Sequence, residues 1–340
     1  MLKRSEFFLE RILPKPLLSS QSAKDSALRR LGVQRSRDVF AAELADKLSR
    51  HDDMVAAMKA VAESSFLRDL SAEERNLLYK AYKNQISSRR KQWRILREIE
   101  REETSKGNQM HLAAVRKLIA KVESEIRDIC ETFIGLIDDH VLRAAGIGEP
   151  QVFCWRAKAD FQRYLAELSS SHKHKIVAEF SYKRAQELAS KHLSPLNPQR
   201  LHLAVNFFIF YLEVKNSPEK ALTVAQEALD LAESEFMRIS RTGKKLKMKE
   251  SETLMRHLRE EIELLQQSEE DVESDEGAEN TVGVGSGRFA DIKDPGRSYV
   301  CGAGSSRWAC TEDPGYNVGE GSSDSMVVEH EKSSEQAQEN

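Results

Sequence analysis

The chain has 340 residues, with 52 basic and 55 acidic side chains and a net charge of −3. Apolar residues make up 40% of it, and no apolar run approaches the roughly 20 residues that a membrane-spanning helix needs. A membrane channel and a collagen-like fibre are therefore excluded, and we expect no membrane span.

Residues 1–37 are rich in Lys and Arg, and we predict a disordered basic extension. Glu6 and Glu10 are unusual in a transit peptide, which is normally poor in acidic residues. The arginines between residues 29 and 37 have no aromatic side chains beside them for stacking bases. We therefore expect a cytoplasmic protein with no nucleic-acid partner.

Residues 38–267 carry apolar side chains at spacings of three and four residues, which is the period of amphipathic helices. Ser71 and the pair Ser217-Pro218 indicate helix starts, and Gly107 indicates a stop. Short connections imply antiparallel neighbours in one all-α array. The pattern predicts nine helices, at 38–50, 52–66, 71–105, 109–139, 148–169, 173–192, 198–214, 217–239 and 247–267.

Residues 268–340 differ sharply in composition. They contain 5 basic and 17 acidic side chains, a net charge of −12, and ten of the sixteen glycines. Such a segment buries too little apolar surface to offset its ordering entropy, so we predict a disordered acidic tail. Two roles remain open: a solubilising tail, or a segment that competes for a basic groove on the domain.

No pattern in the chain is typical of catalysis. The nine histidines and four cysteines show no metal-ligand spacing, no Ser or Cys lies in a nucleophile motif, and no Gly-rich phosphate loop precedes a helix. We therefore predict a protein that is not an enzyme and that holds no metal or cofactor.

Two predicted helices carry basic residues at helical spacing. Lys83 and Arg90 are seven residues apart in the helix 71–105, so they project from the same face. Asp160 and Arg163 share a face of the helix 148–169. Either pattern by itself is also typical of an ordinary solvated surface.

These segments, together with others in the same order, resemble the 14-3-3 family of phosphoserine- and phosphothreonine-binding adaptors. The resemblance covers about residues 39–267. It implies a cup-shaped protomer of nine antiparallel helices, flanked here by disordered tails. The most specific segments include Glu74-Arg-Asn-Leu-Leu78, Ala81-Tyr-Lys-Asn84, Ser88-Arg-Arg-Lys-Gln-Trp-Arg94, Arg163-Tyr-Leu-Ala-Glu167, Leu203-Ala-Val-Asn-Phe207 and Asn216-Ser-Pro-Glu-Lys-Ala221.

The resemblance implies that Lys83, Arg90 and Arg163 surround the phosphate of a bound peptide, with the Tyr164 hydroxyl as a fourth contact. The chemistry agrees, because a phosphate monoester brings about −1.5 to −2 charges and guanidinium groups match its oxygens bidentately. Asp160 is expected to hold the basic side chains in place.

The resemblance also implies that the amide of Asn206 binds the peptide backbone, since a carboxamide donates and accepts at once. Apart from the resemblance, a lone Asn in an apolar helix is usually a polar residue whose hydrogen bonds are satisfied within the fold. The other implied groove residues are Arg156, Asp160, Val205, Ile209, Glu213, Glu261 and Leu264.

The last predicted helix departs from the family's pattern, and two registers are open. One buries five apolar residues and puts Glu261 where the family has a second Asn and Leu265 where it has a Trp. The other, aligned on Thr253-Leu254, buries Arg259 and Glu263, so we prefer the first. We then expect phosphate dependence with weaker affinity or altered preference, partly offset by Lys80 near the groove.

For a dimer, the resemblance implies apolar contacts on the first helices and two ion pairs between subunits. Alternatively, Leu44 and Leu48 line the core of one protomer. A homodimer and a heterodimer with another 14-3-3 protein both remain open. The implied interface residues are Leu44, Leu48, Arg50, Asp53, Ile95, Leu96, Ile99, Lys121 and Glu125, with Arg50 paired to Glu125 and Asp53 to Lys121.

The sequence therefore predicts an adaptor that regulates phosphorylated client proteins by docking their phosphorylated segments in an amphipathic groove, with altered specificity. The alternative is a helical-repeat interaction scaffold without phosphate selectivity, because the stretch Ser217-Pro-Glu-Lys-Ala-Leu-Thr-Val-Ala225 resembles tetratricopeptide proteins.

Overall fold

Helices make up all the regular structure in the part of the chain that this computed structural model describes, namely residues 21–66, 68–168, 172–242 and 248–276. The all-α prediction is confirmed. The helices are α1 (Gln21–Lys47), α2 (His51–Glu63), α3 (Ala72–Ser105), α4 (Gln109–Leu136), α5 (Glu149–Leu168), α6 (His172–His192), α7 (Pro198–Ile209), α8 (Pro218–Ser240) and α9 (Lys249–Glu276).

Three short helical segments extend these elements. A 3₁₀ turn, Ser64–Phe66, follows α2. Helix α4 continues through a π-helical turn, Ile137–Val141, into Leu142–Ala144, and α7 continues through a second π-helical turn, Phe210–Val214. No helix in the described ranges is long and apolar enough to cross a lipid bilayer.

The start of α3 follows the sequence signals directly. The Ser71 side chain accepts a hydrogen bond from the Glu74 backbone nitrogen at 3.2 Å, and the Glu74 carboxylate accepts one from the Ser71 nitrogen at 2.8 Å. This reciprocal capping box satisfies two N–H groups that lack partners inside a helix. Gly107 follows the end of α3 with φ +70°, a left-handed conformation that glycine adopts without strain.

Helix α1 begins at Gln21 rather than at residue 38, so the predicted disorder does not hold for residues 21–37. Arg35 explains much of the difference. Its side chain is 2% exposed and donates to both Glu74 carboxylate oxygens, at 3.0 and 2.7 Å, and to the Arg68 carbonyl at 2.9 Å. The remaining predicted extension, residues 1–20, lies outside the described residues.

At the other end, α9 continues to Glu276, beyond the predicted end at residue 267. The first residues of the predicted tail are therefore helical, and residues 277–340 lie outside the described part. Burial in α9 agrees with the preferred register, because Arg259 and Glu263 are exposed. The five apolar residues that this register places inside are all buried: Leu254, Met255, Leu258, Ile262 and Leu265.

The core forms two apolar clusters, and α5 contributes to both. One cluster joins α1 to α5, with Phe133 stacked on Phe161 at 3.9 Å between ring centroids. The other joins α5 to α9, with Tyr182 stacked on Phe207 at 5.0 Å. Helix α5 therefore lies at the centre of the fold, where its polar side chains meet those of α3 and α7.

Candidate functional site

Two helices supply the predicted phosphate-binding residues: Lys83 and Arg90 lie on α3, and Arg163 and Tyr164 on α5. A carboxylate on α5, that of Glu167, contacts the two arginines. Glu167 accepts hydrogen bonds from Arg90 at 2.6 and 2.7 Å, and its Oε1 lies 3.3 Å from Nη1 of Arg163. We call these five residues the basic cluster.

The Tyr164 ring packs against both arginines of the basic cluster. The guanidinium carbon of Arg90 lies 4.2 Å from the ring centroid, and that of Arg163 lies 4.8 Å from it. Both distances are within cation–π range. Lys83 is half-buried, and its ammonium lies 5.8 Å from the ring centroid of Tyr79, one turn earlier in α3. The structure thus brings Arg90, Arg163 and Tyr164 into contact, with Lys83 on the same face of α3.

The charges of the basic cluster stabilise one another. Burial lowers the pKa of Arg90, but the Glu167 carboxylate outweighs this effect and raises it. Burial raises the pKa of Glu167, but Arg90 and Arg163 outweigh it and hold that pKa below its ordinary value. Glu167 is therefore ionised at neutral pH, and the cluster keeps an excess of positive charge.

A second carboxylate, Glu213, lies beside the cluster at the end of α7. Its Oε2 is 3.7 Å from Nη1 of Arg163, and its side chain is 35% exposed. Burial and the neighbouring Glu167 raise its pKa. The predicted groove residue Glu213 therefore places a second carboxyl group at the edge of the cluster.

Asp160 does not take the role that the sequence suggested for it. It is fully buried, and the carboxylate that contacts the two arginines predicted to bind phosphate is Glu167. The signal that could have identified Glu167 is its position four residues after Arg163 on the same helix. Asp160 instead accepts hydrogen bonds from Tyr79 at 2.9 Å, Tyr182 at 2.6 Å, Asn206 at 3.0 Å and Arg156 at 3.3 Å.

Arg156, predicted to line the peptide groove, is instead completely buried. Its side chain is 0% exposed, and it donates to Asp160 and to Gln199, each at 3.3 Å. Its guanidinium carbon lies 4.8 Å from the centroid of Tyr79. In this conformation Arg156 belongs to the interior of the fold, because aromatic and polar neighbours separate it from solvent.

The predicted groove residues on α7 and α9 differ in burial. Asn206 and Val205 are buried, and Ile209 is half-buried against the core. The amide of Asn206 uses one donor for Asp160, which fixes its orientation and leaves further hydrogen-bonding capacity. On α9, Glu261 is half-buried and Leu264 is exposed.

Lys80 does not serve the groove as expected. Its ammonium pairs with the Asp46 carboxylate of α1 at 2.8 Å. An ammonium held in this way joins α3 to α1, so it no longer offsets negative charge near a bound peptide.

The predicted dimer residues lie mainly on the surface. Leu44, Leu48, Ile95 and Ile99 are exposed, whereas Leu96 packs against the core. The alternative that Leu44 and Leu48 line the core of one protomer therefore does not hold. Within the chain, Arg50 pairs with Asp53, and Glu125 accepts a hydrogen bond from Arg89 at 2.8 Å. The ion pairs expected between subunits, including Lys121, stay a prediction.

The sequence matches the family model described as "14-3-3 protein" over residues 41–266. It is 41% identical over 237 residues to a 14-3-3-like protein of Chlamydomonas reinhardtii, covering 69% of this chain and 90% of that protein. A 14-3-3 protein homolog of Candida albicans is 41% identical over 235 residues, covering 68% and 87%. 14-3-3 protein 2 of Solanum lycopersicum is 38% identical over 247 residues, covering 72% and 96%.

Proposed function

Since this chain belongs to the 14-3-3 family, whose members are adaptors rather than enzymes, we propose that it binds phosphoserine- or phosphothreonine-containing segments of client proteins. The observation that carries the proposal is the basic cluster, in which Arg90 of α3 and Arg163 of α5 flank Tyr164 and share Glu167.

A phosphorylated side chain suits this arrangement. It brings about −1.5 to −2 charges and three acceptor oxygens, and charge-assisted hydrogen bonds to guanidinium groups are among the strongest in proteins. Arg90 has five N–H donors in a planar fork, so it can bind phosphate while it keeps a contact with Glu167. The phosphate also relieves repulsion among the clustered cations.

We propose that peptide preference differs from that of relatives with a second Asn in α9. An ionised carboxylate accepts but does not donate hydrogen bonds, so Glu261 does not replace the donor of an Asn amide. Loss of one backbone contact costs on the order of 1 kcal/mol, so phosphate dependence is retained with weaker affinity.

The direct test is fluorescence polarisation with matched phosphorylated and unphosphorylated peptides. The proposal expects the phosphorylated peptide to bind at least about tenfold tighter, since charged pairs at an interface contribute several kcal/mol. Equal affinities for the two peptides would favour the scaffold without phosphate selectivity.

We further propose that the protein dimerises through the exposed apolar residues of α1 and α3. Exposed ion pairs contribute little, about 0–1 kcal/mol, so the apolar set dominates affinity. Leu48→Glu is expected to halve the mass measured by light scattering. Ile147→Glu, which adds the same charge at an exposed apolar residue away from these helices, is the matched control. A wild-type monomer would contradict the proposal.

A further inference from the structure

Tyr79 links the basic cluster to a buried cation. It lies on α3 one turn before Lys83, so the two side chains project from the same face. Its side chain is almost fully buried, and its hydroxyl donates a hydrogen bond to Asp160 at 2.9 Å. The hydrogen bond to the Asp160 carboxylate therefore fixes the position of the Tyr79 ring.

Two cations lie against that ring. The ammonium of Lys83 is 5.8 Å from the ring centroid, and the guanidinium carbon of Arg156 is 4.8 Å from it. Lys83 is half-buried, but Arg156 is fully buried. One aromatic ring therefore contacts both a cation that solvent reaches and one that solvent does not reach.

Arg156 is also held on its other sides. Asp160 and Gln199 accept its hydrogen bonds, and the Phe153 ring centroid lies 5.7 Å from its guanidinium carbon. Withdrawal of Arg156 towards a ligand would leave the buried Asp160 without its cation, which is strongly unfavourable. Asp160 therefore holds the charge of Arg156 in the interior, and the Tyr79 ring is one of the groups that cover it.

We propose that Tyr79 is a specificity-determining residue of the peptide groove: by covering Arg156 it removes a positive charge from the peptide-facing surface. The protein therefore prefers phosphorylated segments without acidic residues beside the phosphorylated one. The ionised carboxylate of Glu167, which pairs with Arg90 and Arg163, adds to the repulsion that an acidic neighbour meets. This inference rests on the proposed function.

The test uses two phosphoserine peptides that differ only in having two glutamates or two glutamines after the phosphoserine, each with its unphosphorylated counterpart. Wild-type protein is expected to bind the glutamine peptide about threefold or more tighter, because like charges repel at close range. Tyr79→Ala uncovers Arg156 and is expected to improve glutamate binding about tenfold relative to glutamine.

Two further variants test whether that gain comes from the lost Tyr79 ring and the charge of Arg156. Tyr79→Phe keeps the ring and loses only the hydroxyl, so its preference is expected to stay within about twofold of the wild-type value. Adding Arg156→Gln to Tyr79→Ala is expected to abolish the gain. Thermal unfolding of each variant checks that it is folded.

An unchanged preference in folded Tyr79→Ala that still selects phosphorylated peptides would overturn the inference and leave the proposed function standing. A wild-type protein that ignores phosphorylation would overturn both.

A measurement on the unmutated protein keeps the inference testable if Tyr79→Ala does not fold. Phenylglyoxal labels accessible arginines, and mass spectrometry locates the label. Arg184, whose side chain is 44% exposed, is expected to be labelled at least about tenfold faster than Arg156, since a buried group reacts only through rare opening. Equal rates would overturn the inference.

Discussion

Helix α5 carries two arginine–carboxylate pairs with the same four-residue spacing, and they differ in exposure. The side chains of Arg156 and Asp160 are both 0% exposed, whereas those of Arg163 and Glu167 are 7% and 14% exposed. The first pair is enclosed by aromatic side chains, and the second contacts Arg90 of α3. The same local pattern thus gives a fully enclosed pair in one place and, in the other, a slightly exposed pair that also contacts Arg90.

The physical reason is desolvation. A carboxylate away from water depends entirely on its protein partners, so loss of one partner leaves an uncompensated buried charge. A pair that is partly exposed, such as Arg163 and Glu167, keeps some access to water and to other charges, so we expect it to change partners when an anion arrives.

The largest effect is expected from Asp160→Asn, which removes the carboxylate of the enclosed pair. Breaking such a pair costs about 3–5 kcal/mol, or roughly 10 °C in Tm for a domain of this size. Asp139→Asn makes the same change in an exposed pair with Arg143, whose side chains are 74% (Arg143) and 63% (Asp139) exposed, and should cost about 0–1 kcal/mol. Equal unfolding temperatures for the two variants would contradict the expectation that the enclosed pair contributes more to stability than the exposed one.

Charge reversal in the basic cluster should act on binding instead. Lys83→Glu is expected to weaken phosphopeptide binding about 100-fold, or roughly 2.7 kcal/mol, because a carboxylate replaces a cation near the phosphate. Lys91→Glu makes the same change at an exposed position of α3 and should leave affinity within about twofold. Polarisation titrations compare them, and wild-type affinity in Lys83→Glu would exclude Lys83 from the site.

Glu167→Gln tests whether the pair of Arg163 and Glu167 exchanges partners when phosphate binds. The phosphate no longer competes with a carboxylate for Arg90, so affinity for a phosphopeptide is expected to rise about threefold to tenfold. The ligand-free protein should lose about 1–3 kcal/mol of stability, because a charged hydrogen-bond acceptor is removed. Glu187→Gln, at an exposed pair with Arg184, is the control. Weaker binding by Glu167→Gln would show that Glu167 supports the phosphate rather than competing with it.

The smallest effect is expected at Glu179 on α6, whose side chain is 19% exposed and thus lies between the enclosed pair and the exposed surface pairs. Burial raises its pKa, but hydrogen bonds from Lys183 and Lys215 outweigh this and hold that pKa at about 2, below the ordinary 4.5. The contribution of ionised Glu179 to the free energy of unfolding is therefore present above about pH 4.5 and is lost as the pH falls towards 2. The stability difference between wild type and Glu179→Gln, about 1 kcal/mol or less, should shrink over that range in denaturant titrations. A difference that does not change with pH would contradict this assignment.

Sequence reasoning reached the parts of the molecule that depend on local patterns. Helical periodicity predicted the nine long helices of the described residues, and Ser71 marked the start of α3 because its cap lies within one turn. The resemblance supplied Arg90, Arg163 and Tyr164, which the structure brings into contact.

What sequence reasoning missed depends on partners far along the chain. Arg156 and Arg163 have the same local pattern, and the distant partners that make the first an interior residue include Tyr79, 77 residues before it, and Gln199, 43 residues after it. Lys80 was assigned to the groove, but its partner is Asp46 on α1. Spacing along one helix cannot reveal such contacts, because they arise when separate helices pack.

The buried Arg35 bears on where this protein can be divided. The match to the family model begins at residue 41, yet the guanidinium that enters the interior belongs to a residue before that point. A polypeptide cut at the similarity boundary would retain Glu74 but lose its buried cation, leaving it with Arg68, whose side chain is 59% exposed. The shortest segment with an intact ionic interior is therefore longer than the segment that the family model matches.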